Sequence, residues 1–506
     1  MSTLTRNILA NLLGRIAVAI LGLLAVRCIF RSLGADVLGL MYFTLALNGV
    51  FCGALEMGVC STTVREISAS LPREPRYVIE YCRSVSFAYW GLYLVLVSVL
   101  YFSAPWLVRH WLALGSVDPG TGTWIVRRLG VAALLGLPRS FYLSVCRGME
   151  RMDVSNGVDA VSQGLQSIGV AAILSYGGSM TAAVNWLAAT FAIGIFLYIV
   201  ACSVLLSWRA LVPWLSLSAV SSNFGFSMQM GGVSALSVVH SESDKAIVSR
   251  LLPVGALGYY GVVSNMMVKA TLATSAVAQA AFPSLSAVIR NTSRAEALSR
   301  YRRLHDLICF GTVPIFTGVV FFAPTLMSYL FDNHVARLMM IPVAWLALGH
   351  YMNATLNIPF MFSLADGRPD IALAENVIAL FASLPAAVLF VYWYGLAGAG
   401  FSWVFYHLVL YSYGVPRTCR ECLGTPVWDW FAHIARIGLL TAASYGAIWW
   451  VGTATGMSAT FWGLTLSYLV GSLAFLAGAR MMICEELQNA LAGTLARFWQ
   501  IREPAA

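Results

Sequence analysis

The 506-residue sequence predicts an all-α polytopic membrane protein of about fourteen transmembrane helices, and three observations carry that expectation. Hydrophobic residues make up 59% of the chain and charged residues only 10%, whereas a soluble domain carries about 25% charged residues. Apolar runs of about 20 residues recur along the whole length between short polar breaks. That length crosses a hydrocarbon core of about 30 Å and excludes a barrel of short alternating strands. The third observation is an internal repeat at an offset of roughly 220 residues, which divides most of the helices into two sets of six.

The repeat is read from four pairs of short motifs in the same order. Arg31-x-Leu33 followed by Leu38-Gly39 recurs as Arg250-x-Leu252 followed by Leu257-Gly258. Ala104-Pro105-x-Leu107 recurs as Ala323-Pro324-x-Leu326, Arg151-Met152-Asp153-Val154 as Arg368-Pro369-Asp370-Ile371, and Tyr176-Gly177 as Tyr394-Gly395. An even number of helices per copy makes the copies parallel in topology, and transporters built in this way bind substrate at the repeat interface.

In chain order, the first predicted helix (7–31) places Asn7, Asn11 and Arg15 at four-residue steps, hence on one face. After a turn at Leu33–Leu38 the second (39–64) carries Asn48 and Glu56 and ends at Arg65. The third and fourth follow at 81–103 and 124–146, the latter with Pro138 and Arg139 well inside it. The fifth (154–176) brings Asn156, Asp159, Gln163 and Gln166 to a shared face, and the sixth (181–206) closes the first set.

The seventh and eighth (219–252 and 258–283) read as a hairpin joined at Pro253–Leu257, and they hold the densest intramembrane charge. His240, Ser241, Glu242, Ser243, Asp244 and Lys245 stand in succession. Lys245 and Lys269 are the only lysines of the chain. At about 1.5 Å per residue Lys245 sits roughly 15 Å from the hairpin tip, near the middle of the bilayer. An ionised side chain there costs on the order of 2.5 to 3.5 kcal/mol and usually faces a partner or a water-filled cavity. Glu242 and Lys269 stand at equal distance from the tip, which predicts an ion pair across the hairpin. His240 and Asp244, four residues apart, share a face and are candidates for binding a coupling proton.

The ninth to twelfth helices (305–327, 338–362, 371–393 and 398–416) complete the second set, with His350, Asn353 and Asn357 on one face. Two more (434–452 and 460–482) lie outside the duplication. The expected organisation is therefore 1–210 and 218–416 as six-helix lobes, with 417–506 as two added helices and a tail. Most arginines fall in the N-terminal tip, the even-numbered connectors and the tail, which places both termini in the cytoplasm. The same rule explains the net charge of +9 without nucleic acid. The first apolar run carries Arg15 and Arg27 and reads as an uncleaved anchor.

The outward loop at 104–123 is too short for a folded catalytic domain, so no enzyme is expected. The ten cysteines are scattered through apolar helices, and Cys419 and Cys422 form a lone C-x-x-C without further ligands at zinc spacing. No metal and no cofactor are expected.

With Leu33-Gly34 to Leu38-Gly39, Glu56-Met57-Gly58 with Arg65, Asp244-Lys245, Leu257-Gly258-Tyr259 and Phe282-Pro283-x-Leu285-Ser286, the chain resembles the polysaccharide flippases. These form part of the multidrug, oligosaccharidyl-lipid and polysaccharide exporter superfamily. The family commonly has Asp where this chain has Glu56. The resemblance implies two six-helix lobes around a cavity that opens alternately to each side. It also implies outward passage of a lipid-linked oligosaccharide on undecaprenyl diphosphate, across a bacterial inner membrane, for surface polysaccharide or lipopolysaccharide assembly. In fourteen-helix relatives the last two helices border a groove for the lipid tail.

The deep cations Arg15, Arg139, Lys245 and Lys269 suit a diphosphate, which accepts charge-assisted hydrogen bonds. Glu56, Asp159, His240, Glu242 and Asp244 are the candidates for ion pairing or for coupling to H+ or Na+. A drug exporter of the same superfamily is the alternative, and the deep basic residues oppose it because cationic drugs need acidic and aromatic walls. A non-transporting scaffold among other polysaccharide-assembly proteins has no use for polar faces on the first, fifth and tenth helices. Membrane lipid is the remaining expected partner.

Overall fold

The computed structural model describes the backbone of residues 3–216, 238–291 and 293–490, and side chains throughout these except at 3–16, 54–58, 459 and much of 272–291. Nearly all regular structure among the described residues is helical, and nine helices are long and apolar enough to cross a membrane. In order the helices are α1 (Thr3–Ser70), α2 (Pro75–Trp106), α3 (Pro119–Ala133), α4 (Gly136–Gly148), α5 (Met152–Ser175), α6 (Met180–Leu205) and the short α7 (Trp208–Leu211). The helical segment α8 covers 238–251. Then come α9 (Val254–Asn291), α10 (Arg294–Leu330), α11 (Asn333–Ala365), α12 (Pro369–Arg417), α13 (Val427–Thr441), α14 (Ala447–Ala454) and α15 (Phe461–Arg480).

Glycine and proline set where these helices bend. α1 contains the first two predicted helices and breaks at Gly34, with φ 85° and ψ 175°. Nothing lies within 4 Å of a Cβ placed there, so glycine is required for its backbone angle alone. α12 likewise joins two predicted helices across Gly395 at φ 58°. The fourth predicted helix, expected unbroken over 124–146, is instead split into α3 and α4. Pro138 has no N–H for the carbonyl of Leu134, which accepts from Leu137 in a tighter turn. The basic residues Arg294, Arg300, Arg302 and Arg303 lie in the first turns of α10, where Arg294, Ala295, Glu296, Ala297 and Leu298 are good helix formers.

The chain packs as two compact units, Met1–Val262 with Tyr329–Phe331, and Val263–Ser328 with Asp332–Ala506. In the first, α1 packs along α3, α4 and α5, and α6 covers α3, α4 and α5. Phe141, Tyr142 and Tyr198 are fully buried there, and the Trp90 indole N–H donates to the Tyr142 hydroxyl at 2.9 Å. In the second, α11 lies along α12. The late helices join its core through Ile437, Tyr445, Leu464 and Phe475, which pack on Cys309, Phe310 and Phe321 of α10. Large apolar side chains such as Phe102, Val204, Phe381 and Leu473 are more than two-thirds exposed, the pattern of a surface bathed in lipid.

The repeated motifs take matching local geometry. Arg151 forks onto Asp153 at 3.0 and 2.9 Å, and Arg368 forks onto Asp370 at 2.9 and 3.0 Å. Each arginine is the residue before a helix, and each is preceded by a residue at positive φ: Glu150 at 58° and Gly367 at 80°. Gly177 and Gly395 turn at φ 77° and 58°. Pro105 and Pro324 both lie inside helices.

Candidate functional site

In the first unit the arginine of α4 meets the polar face of α5. Arg139 donates to Asp159 Oδ1 at 2.5 Å, and the Tyr198 hydroxyl of α6 donates to the same oxygen at 2.6 Å. The guanidinium also stands over the Tyr198 ring, 5.4 Å from its centroid. Roughly a third of each charged side chain stays exposed, 30% for Arg139 and 33% for Asp159. Beside them Arg139, Ser162, Gln163, Gln166 and Thr190 line a cavity of about 40 Å³, room for a water molecule. The buried Ser162 hydroxyl faces it without a hydrogen-bond partner among the described residues. The spacing of Asp159, Gln163 and Gln166 points to this face; Tyr198, set among apolar residues, carries no such signal.

The second cluster is on α8. Lys245 Nζ donates to Glu242 Oε2 at 2.8 Å and to the Ser241 carbonyl at 3.3 Å, with the two charged side chains 11% and 19% exposed. The Glu242 side chain crosses α1 at Gly49, where a Cβ would lie 3.0 Å from its Cδ. Asp244 is buried, accepting the Tyr260 hydroxyl at 2.6 Å and the Lys245 N–H at 2.7 Å. His240 is half-buried one turn before it. Glu242 thus has its cation three residues along its own helix, in place of the expected pairing with Lys269. Lys269 is exposed on α9 and belongs to the second unit. The side chains of Arg15 and Glu56 lie outside the described residues, as does the predicted seventh helix before 238.

The second unit has its own polar line between α9 and α11. Thr271 Oγ1 and His350 Nδ1 are 3.0 Å apart, and Asn357 donates to Thr274 Oγ1 at 3.4 Å. The His350 ring stacks on Trp403 with centroids 4.6 Å apart. On α12 the Glu375 carboxylate abuts the backbone at Gly414, which has no room for a side chain. The face of His350 and Asn357 is visible in the sequence, whereas Thr271, Thr274 and Glu375 are not, because single threonines and a lone glutamate carry no period.

Within the first unit the two copies of the Leu-Gly motif touch. A Cβ on Gly39 would lie 1.9 Å from the Val254 carbonyl oxygen, and one on Gly258 would lie 3.0 Å from the Gly39 nitrogen. Small residues let helices approach to this degree. The loop before α3 covers the crossing. The Val254 N–H donates to the Ala113 carbonyl at 2.9 Å, the Trp111 indole to Ser249 at 2.9 Å, and the Ser116 hydroxyl to Asp36 at 2.7 Å.

Comparison with known proteins fits this architecture. Residues 154–337 match the family model described as polysaccharide biosynthesis protein. A protein of Shigella flexneri named "Putative O-antigen transporter" is 23% identical over 412 residues, covering 79% of this chain and 94% of its own. The fold is similar to that of the lipid II flippase MurJ in an inward closed conformation, with TM-score 0.72, 14% identity and coverage of 94% of this chain and 98% of MurJ. It is also similar to an inward-facing multidrug resistance transporter of the MATE family, with TM-score 0.62, 13% identity and coverage of 83% and 99%. These matches agree on the fold, which is that of the MurJ and MATE transporter structures, while residues 154–337 carry the sequence pattern of the polysaccharide biosynthesis model.

Proposed function

We propose that this protein moves a lipid-linked oligosaccharide, carried on undecaprenyl diphosphate, from the cytoplasmic to the outer leaflet of a bacterial inner membrane by alternating access. The observation that carries the reading is the alignment with the Shigella flexneri protein named "Putative O-antigen transporter" over 94% of that protein's length. The MurJ-like fold agrees with it. Support from the chain itself comes from ionised groups at membrane depth, Arg139 with Asp159 and Lys245 with Glu242, since such groups usually mark a substrate or ion path. In this reading 1–210 and 218–416 act as lobes, 417–506 supplies two further helices, and both termini face the cytoplasm. The Gly39 and Gly258 crossing then lies at the outer end and closes the path to the outside.

Arg15, Arg139, Lys245 and Lys269 serve the diphosphate in this proposal. Asp244, buried against Tyr260, binds the coupling ion, H+ or Na+, with His240 on the same face. Proteoliposomes carrying a fluorescent undecaprenyl-diphosphate oligosaccharide test it. The expected result is gradient-dependent appearance of the sugar on the trans face, lost in Asp244→Asn at normal protein abundance. Export of a cationic dye without movement of the lipid-linked sugar would overturn the reading in favour of a drug exporter.

A further inference from the structure

Two imidazoles and a carboxylate converge where α10, α13 and the turn after α15 meet, all within the second unit. His305, Asp306 and His433 each bring a ligand-capable atom within 4.8 Å of the others. His433 Nε2 lies 2.9 Å from Asp306 Oδ1 but makes no aligned hydrogen bond. At this distance nitrogen and oxygen stand as an ion pair when the ring is protonated and as two ligand atoms side by side when it is not. The second carboxylate oxygen accepts the Cys484 N–H at 2.8 Å, which fixes the plane of Asp306. His305 is buried and held by stacking on Tyr301, with centroids 5.4 Å apart and planes 15° apart.

A cavity of about 240 Å³ opens beside the three groups, its wall including Arg302, Asp429 and Met482. The Tyr301 hydroxyl and the Trp430 indole N–H, neighbours of one another in that wall, are both buried. The cavity therefore offers polar atoms to whatever occupies it. Ligand atoms around a tetrahedral Zn²⁺, each about 2.0 to 2.2 Å from the metal, stand about 3.4 Å apart. Side-chain shifts of about an ångström would close the observed set onto an ion. The Cys484 amide then plays the orienting role that outer groups usually play around metal-bound carboxylates.

We propose that His305, Asp306 and His433 bind a divalent transition-metal ion of the zinc class, with its open position facing the cavity. The ion fastens α13 and the turn after α15 to α10, and so holds the last helices against the core of the second unit. Two histidines and a carboxylate suit such an ion far better than Mg²⁺ or Ca²⁺, which prefer oxygen ligands.

The test uses full-length protein without a histidine tag, stripped with chelator and then titrated with Zn²⁺ alone. About one tightly held Zn²⁺ per chain is expected, with a rise in melting temperature, and Co²⁺ in its place should give the visible absorption of a four-coordinate site. His433→Gln and His305→Gln should each weaken Zn²⁺ at least tenfold and abolish the thermal response, while the chelated variants melt as the chelated parent does. Absence of stoichiometric Zn²⁺ in the parent overturns the proposal, as does unchanged binding in both variants. If either variant does not survive purification, the parent's stoichiometry and Co²⁺ spectrum decide alone.

Discussion

The crossing at Gly39 and Gly258 and the cluster at His305, Asp306 and His433 hold helices together by opposite means. At the crossing backbone meets backbone directly, and the contact depends on the absence of side chains. At the cluster the helices are joined by side chains whose charge and lone pairs must be satisfied. A contact of the first kind holds no side-chain partner of its own and can part and re-form once the loop before α3 releases it, which suits a gate. The second kind loses a partner for each group when it opens, which suits a fastening.

The largest effect should come from breaking the crossing. In Gly39→Leu the added carbon meets a backbone carbonyl at 1.9 Å, and no rotamer change can move that oxygen, so the helices must part by well over an ångström. We expect transport in the proteoliposome assay to fall at least tenfold, with a stability cost of about 1 to 3 kcal/mol for overpacking. Gly34→Ala is the companion. It has open space but φ 85° and ψ 175°, a region open essentially to glycine, so it should cost about 1 to 3 kcal/mol of backbone strain and leave transport within twofold. Equal loss of transport in both variants would mean that strain, not closeness, is what matters at this bend.

Next in size is the Arg139 and Asp159 pair, which shares features of both regions, being charged yet beside a cavity. Breaking a fully buried pair costs about 3 to 5 kcal/mol. With a third of each side chain exposed, Arg139→Gln should cost about 1 to 3 kcal/mol, since solvent screens part of the interaction. The double variant Arg139→Gln with Asp159→Asn should recover most of that stability. Transport is expected to stay low in the double variant if the guanidinium meets the diphosphate, and to return if the pair only fastens α4 to α5.

What could be read from the sequence follows the same division. The Arg-x-Asp pairs and the Tyr-Gly pairs encode local backbone shape, so their recurrence predicts matching turns, and the observed angles and ion pairs agree. The face of α5 is legible because Asp159, Gln163 and Gln166 recur at helical spacing. His305, Asp306 and His433 have no spacing that relates them. They meet only because α13 packs on α10, and no spacing of the kind that Cys419 and Cys422 show marks them in the sequence. The Glu242 pairing with Lys269 was inferred from equal depth on two helices. The side chain of Lys245, three residues away on the same face, reaches Glu242 first.

That last contrast gives a smaller effect to measure. Lys245→Met leaves the half-buried Glu242 carboxylate without its cation, so abundance in the membrane should fall. Adding Glu242→Gln should restore it. Lys269→Met removes an exposed side chain and should leave abundance unchanged. If Lys269→Met is the more damaging for folding, and Glu242→Gln rescues it, the pairing across the hairpin operates in the membrane instead.

The smallest expected effect compares the two repeats directly. Glu150 holds φ 58° where the second copy has Gly367 at φ 80°, and both stand just before an arginine that forks onto an aspartate. A residue with a Cβ pays about 1 to 2 kcal/mol for left-handed backbone, and glycine returns part of that as unfolded-state entropy, about 0.5 to 1 kcal/mol. Glu150→Gly should therefore stabilise the first unit, but by under about 1 kcal/mol, and Gly367→Ala should destabilise the second by a similar amount. Because Glu150 is exposed, the lost carboxylate should matter little, and Glu150→Gln should leave stability unchanged. Thermal unfolding of the three variants in detergent checks the signs. A destabilised Glu150→Gly protein would mean that the glutamate side chain supports its turn, and the two copies would then hold the same geometry for different physical reasons.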